Sequence, residues 1–183
     1  MSFYKEVLDE GDELYMMATY PLASKNVDTA ACTKDDNPIT VTACSTGLRT
    51  WTYKVSSVTT ANSGKYQCVM HASSAASTKY TSAEVEIDVR KVVYSANAAA
   101  LTGQKFKVTC TTYGTEGTVN LLVDNTPAAD GWTVSKGTWS GYTQVYEYEA
   151  VLPGNKQLKC KTEWPDGEKE TTAVTVTVKS KLQ

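Results

Sequence analysis

The chain has 183 residues and a mass of 19.9 kDa, enough for one large domain or two small ones. Hydrophobic residues make up 41% and charged residues 21%, with a formal net charge of -2, which excludes extensive disorder, and no cluster of Lys or Arg offers itself to nucleic acid. Thr and Val number 27 and 19 against 10 Leu, a β-branched excess that predicts an all-β fold.

Gly11-Asp12 opens an alternating segment with Leu14, Met16 and Ala18 on one face. Strand candidates follow over Val27 to Lys34, Ile39 to Ala43, Trp51 to Val55 and Lys65 to Met70, the last with Tyr66, Cys68 and Met70 inward. From Ser82 onward, Ala83, Val85, Ile87 and Val89 alternate with Glu84, Glu86, Asp88 and Arg90, the period of two that marks a half-buried strand. This strand closes a first unit, so the chain is expected to divide into residues 1–90 and 91–183. No Gly/Ser/Pro-rich linker intervenes, which predicts a stiff junction. The second unit repeats the grammar: Phe106, Val108 and Cys110, then Val119 to Val123, Gln144 to Val151, Leu158 with Cys160 and Thr162, and Val174 with Val176 and Val178. A tight turn at Trp164-Pro165-Asp166-Gly167 separates the last two. Seven or so short strands per ~90 residues fit a β-sandwich.

Residues that carry chemistry are sparse. His71 is the only histidine, and no C-x-x-C or H-x-x-x-H spacing is present to hold zinc. A Ser or Cys nucleophile would have only His71 as its base, and no G-x-S-x-G elbow occurs. Lys136-Gly137-Thr138 lacks the first Gly of a phosphate loop. Glu147 and Glu149 alternate with Tyr146 and Tyr148 as a strand with one solvated face does. No enzyme, metal or cofactor is therefore expected, and recognition by surfaces remains. Candidate partner contacts are the loop from His71 to Lys79 and Tyr80, the segment from Trp132 to Tyr142 with Trp139, and the neighbourhood of Trp51, because aromatic side chains bring contact area with few rotors.

Asn62-Ser63-Gly64-Lys65-Tyr66-Gln67-Cys68 resembles the D-x-G-x-Y-x-C signature of immunoglobulin superfamily domains. Gly11 to Ala18 is similar to their strand B, with Ala18 in place of the usual Cys, and Cys32-Thr33-Lys34-Asp35-Asp36-Asn37-Pro38-Ile39 is similar to W-x-K-D-G-x-P-x of strand C, with Cys32 in place of the Trp. The resemblance implies two tandem immunoglobulin-like β-sandwiches and a structural corner at Tyr66. It also implies a Cys32–Cys68 disulfide within one sheet, against the alternative of two reduced core thiols, and a Cys110–Cys160 disulfide between sheets at the family's usual separation. Cys44 is left over, and burial is expected for it. Since neither unit has the usual core Trp, Trp51 and Trp164 are expected inside and Trp132 and Trp139 partly exposed.

Function follows from the resemblance alone. It implies the extracellular part of a cell-surface recognition or adhesion receptor, binding a protein partner, with a second copy of itself among the candidates, and no direct insertion into the membrane. The N-terminus has no apolar signal region, so an exported chain is expected to be a fragment lacking its signal and anchor. The alternatives are a secreted immune or host-interaction protein and an intracellular structural array, whose immunoglobulin modules need no disulfides.

Overall fold

A computed structural model of the chain describes residues 2–3, 7–20, 27–43, 50–72, 79–96, 100–138 and 143–179. The chain forms two compact units, Met1–Val89 and Arg90–Gln183, and the described residues contain strands, one short 3-10 turn and no α-helix. Among the described residues no helix is long and apolar enough to cross a membrane.

The first unit contains β1 (Ser2–Phe3), β2 (Val7–Asp9), β3 (Leu14–Thr19), β4 (Val27–Lys34), β5 (Asn37–Ile39), β6 (Thr42–Ala43), β7 (Thr50–Val55), β8 (Gly64–Ala72), β9 (Lys79–Thr81) and the start of β10 (Val85–Ala96). One sheet runs β1-β3-β7-β6. In the other, β8 is flanked by β4 and then β5 on one side and by β9 and β10 on the other, with β2 paired to β10. The single strand expected over Ile39 to Ala43 is instead two. β5 pairs with β4 and β6 with β7, so the chain crosses from one sheet to the other between them.

Alternation builds the core. Leu14 and Met16 of β3 join Leu8, Val58, Tyr66, Ile87 and Val89 in one buried cluster, while Ala18 joins Tyr20, Cys32, Trp51, Cys68 and Met70 in a second. Fully burying side chains of this size is worth ~1.5 to 3 kcal/mol each. The Tyr66 ring is fully buried, and its hydroxyl donates to the Asn62 carbonyl at 2.7 Å, closing the 3-10 turn Thr60–Asn62 onto β8. Burial pushes the Tyr66 phenol well above its ordinary value.

The second unit contains the rest of β10, β11 (Lys105–Tyr113), β12 (Thr118–Val123), β13 (Thr126–Pro127), β14 (Trp132–Lys136), β15 (Thr143–Val151), β16 (Lys156–Trp164), β17 (Gly167–Glu170) and β18 (Val174–Val176). One sheet is β14-β15-β11-β10. The other is β13-β12-β16-β17, with β18 also on β16. Phe106, Val108, Cys110, Leu121, Tyr148, Leu158 and Cys160 fill the space between them. Trp164 is buried at one end, its Nε1 donating to the Thr115 carbonyl at 2.7 Å, and the Arg90 guanidinium lies 4.7 Å above its ring while donating to Asp166.

Both units use one device to fasten a hairpin turn. Asp35 and Asp36 (φ 49° and 63°) turn β4 into β5, and Asp124 and Asn125 (φ 50° and 66°) turn β12 into β13, a left-handed conformation that Asp and Asn tolerate. Asp35 N donates to the Lys65 carbonyl and Lys65 N donates to Asp35 Oδ1, both at 2.8 Å. Asp124 exchanges the same pair of bonds with Gln157 at 2.8 and 3.0 Å. A Cβ at Gly64 would overlap the Asp35 carboxylate, so the glycine of the D-x-G-x-Y-x-C pattern makes room for this clamp.

Removing the corner hydroxyl strands the Asn62 carbonyl. Tyr66→Phe is expected to cost about 1 kcal/mol in urea unfolding, and an unchanged midpoint would show that the bond contributes nothing net. The bonds from Lys65 N and Gln157 N, ahead of those from Lys34 and Lys156, hold the Asp35 and Asp124 carboxyls below the ordinary 3.8. A lowered folded pKa adds stability that is present above the unfolded value and lost as the pH falls through the folded one. Thermal melts from roughly pH 4 down to pH 2 should therefore show a shallower acid decline for the double variant Asp35→Asn/Asp124→Asn than for the wild type.

Candidate recognition face

Cys32 of β4 and Cys68 of β8 stand opposite each other in register and are joined by a disulfide, their Cα atoms 4.0 Å apart. This bond lies within one sheet. Cys110 of β11 and Cys160 of β16 are joined across the two sheets of the second unit, with Cα atoms 5.6 Å apart. Cys44 lies outside the described residues. In the first unit Ala18 takes the place of the half-cystine that would bridge the sheets, and Trp51, its partner in register, packs in the same cluster as the disulfide.

The sequence-derived contact residues do not gather in one place. His71 and Lys79 are register partners on β8 and β9, with Thr29 of β4 on the other side of His71, and all three are exposed. Tyr80 turns the other way. Its ring meets Tyr20 edge-on at 6.0 Å between centroids, half-buried against the core. Trp132 belongs to the second unit, where it pairs with Ala150 and packs half-buried against that core. Trp139 lies outside the described residues.

What sequence reading missed is the surface between these positions. With Cys32, Cys68 and Tyr80 facing in, the alternate residues face out in rows. Thr29, His71 and Lys79 form one row, Ala31, Val69 and Thr81 the next, and Pro38, Thr33 and Gln67 the third. Lys79 and His71 are the only ionisable side chains among these nine, and among the described residues no ion pair crosses the rows. The other outer faces differ. On β11 and β15, Lys105 pairs with Glu149 and Lys107 with Glu147. On β16 and β17, Lys159 pairs with Glu170, and Lys161 with Glu163 and Glu168. The opposite sheet of the first unit carries Lys54 paired with Glu13. Interface centres are depleted of charge; the nine positions above hold no ion pair, and on the same sheet face the pair Lys65–Glu84 begins with the next outward residue of β8 beyond Gln67.

No protein-family model matches the chain, and no curated protein is similar to it. Solved structures are. A tandem pair of titin immunoglobulin domains superposes with a TM-score of 0.51 at 11% identity, covering 98% of this chain and 96% of that one. A chain from the complex of ICOS with ICOS-L and an anti-ICOS-L VNAR domain gives 0.51 at 15% identity, covering 92% and 96%. The chain spans 65% of a three-domain titin fragment, with a TM-score of 0.43 and 16% identity. This is the immunoglobulin-superfamily fold.

A cleft of about 580 Å³ in the second immunoglobulin-like sandwich, lined by Glu116, Lys136, Tyr146, Glu163 and Trp164 among others, has its acids paired with Lys136 and Lys161 and brings no nucleophile to a base. Among the described residues no group of three His, Cys, Asp or Glu side chains is placed to hold a metal ion.

Peptide mapping without reduction should recover Cys32 linked to Cys68 and Cys110 linked to Cys160; a Cys44–Cys68 peptide would contradict the first pairing. Loops of 36 and 50 residues put the chain-entropy stabilisation from each bond at ~4 kcal/mol.

Proposed function

We propose that this chain is the protein-recognition part of a cell-surface receptor or adhesion molecule, and that it engages protein partners, its own copies among them, through the β4–β8–β9 face of the first immunoglobulin-like unit. The observation that carries the reading is the contrast in charge: this face presents Ala31, Thr33, Gln67, Val69 and Thr81 side by side, with the Lys65–Glu84 pair at one end beyond Gln67, whereas the other outer faces carry ion pairs among their strands. Ion-paired faces keep their water, and removing that water is costly. A flat face of small neutral side chains loses its water at little cost. The two disulfides support an oxidising compartment, since cytosolic thiols stay reduced. They favour the exported reading over the intracellular array.

The test attaches the chain to beads through its C-terminus and scores adhesion to identical beads and to cells of its native source. Adhesion is expected in at least one arm. Val69→Glu, which places a charge at the centre of the face, should reduce it by at least about ten-fold, while Val134→Glu, at a 60% exposed position in the second unit, should leave it unchanged. Absence of adhesion in both arms, or equal losses in the two variants, would overturn the reading.

A further inference from the structure

Every acidic side chain of the second unit but one is held by a Lys or Arg in an ion pair. The exception is Asp130, which is exposed and whose carboxylate makes no ion pair or hydrogen bond among the described residues. The turn that leads into β14 fixes its place. Trp132 N donates to the Ala129 carbonyl at 3.2 Å with Asp130 and Gly131 between them, and Gly131 has φ 87°, the left-handed value that calls for glycine at this point of a turn. The turn stands at the rim of a cleft of about 280 Å³ lined from β13, β14 and the end of β15. Pro127, Trp132, Val151, Leu152 and Pro153 give the cleft apolar walls, with Trp132 half-buried and Val151 55% exposed. The other charges there cancel in pairs. Lys156 holds Asp124 at 3.0 Å, and Lys105, the register partner of Val151, holds Glu149.

We propose that this cleft receives an arginine side chain of a partner protein, its guanidinium on the Asp130 carboxylate and its methylene stem against Trp132 and Val151. The site lies on the second unit and does not depend on the β4–β8–β9 face. A carboxylate left unpaired beside apolar walls is complementary to a group that is cationic at one end and apolar along its length. Arginine meets that description more fully than lysine. Its planar guanidinium donates two parallel bonds to a carboxylate, sheds water more readily than an ammonium group and stacks on aromatic faces, here that of Trp132. An anionic partner would meet Asp130 with no cation free to receive it, because Lys156 and Lys105 are engaged already. A wholly apolar side chain would crowd the carboxylate and take water from it without replacing the bonds. The volume of the cleft falls below the ~300 to 1,000 Å³ of sites for whole small ligands, which suits a single side chain. Arg is also among the residues that dominate the energetics of protein interfaces.

The test titrates the intact chain with N-acetyl-arginine amide and, in parallel, with N-acetyl-citrulline amide, a neutral compound of the same shape, and follows backbone and indole N–H resonances by NMR. Saturable shifts centred on Asp130, Gly131, Trp132 and Val151 are expected at roughly millimolar arginine compound, the range open to a side chain without its protein. The citrulline compound should bind at least about ten-fold more weakly. Asp130→Asn keeps the turn and removes the charge, so it should weaken arginine binding by about ten-fold, with a thermal melt confirming its fold. Asp36→Asn, at an exposed acid of the first unit, should leave binding unchanged. Equal binding of the two compounds, wild-type binding by Asp130→Asn, or shifts that do not saturate or that centre away from the cleft would overturn the proposal. None of these outcomes bears on Val69→Glu, so the cleft and the β4–β8–β9 face stand or fall separately.

Discussion

A covalent bond between neighbours in one sheet governs the first unit. Cys32 and Cys68 tie β4 to β8, strands that already share a hydrogen-bonded ladder, so no described disulfide holds the two sheets of that unit together. Their cohesion falls to packing. Ala18 leaves room where a half-cystine would stand, and Trp51, Tyr20 and Met70 fill it, with Tyr20 braced edge-on against Tyr80. The bond stiffens the middle of the β4–β8 pair, and its consequence is felt on the outside. Each residue flanking a half-cystine in these strands points to solvent from a fixed position, which is what a flat recognition surface needs.

The second unit is built the other way. Its disulfide joins β11 to β16 across the sandwich, Leu121 sits inside beside Cys160 in register, and the Tyr148 hydroxyl, donating to the Val119 carbonyl, links the sheets a second time. Its outer faces are solvated by Lys–Glu pairs on both sheets. Such exposed pairs add little stability individually. They do keep a sheet surface wet and unattractive to other strands and faces. The two units thus share a fold but differ in how their sheets are joined.

They also share the Asp clamp at the hairpin turn. Asp35 and Asp124 each fold the turn in a left-handed conformation and capture the backbone of a strand distant in sequence, at Lys65 and Gln157. One carboxylate satisfies a strand-start N–H that would otherwise compete for water. In the first unit this capture sets the place of the turn at one corner of the β4–β8–β9 face, and with it the position of Asp36.

Much of this was legible from local pattern. Alternation of period two marked β3, β8, β11, β15 and β16 and told which of their residues turn inward, because side-chain direction in a strand is dictated by the backbone itself. The D-x-G-x-Y-x-C run located the Tyr66 corner, whose hydrogen bond spans only four residues. The division of the Ile39 to Ala43 stretch between two sheets was not legible, since each half is claimed by a strand elsewhere in the chain. The packing of Tyr80 on Tyr20 was not legible for the same reason. An aromatic residue next to a loop suits a surface contact as well as a core, and only the neighbouring Tyr20 decides. The rows of the recognition face have no signature at all, because Ala31, Val69 and Thr81 lie on three separate strands and become neighbours through register. Sequence by itself determined that the chain is all-β and which residues alternate inward. Tertiary structure alone decided which outward residues adjoin and where the charges stand relative to them, because adjacency across strands is set by long-range pairing that no local stretch of chain contains.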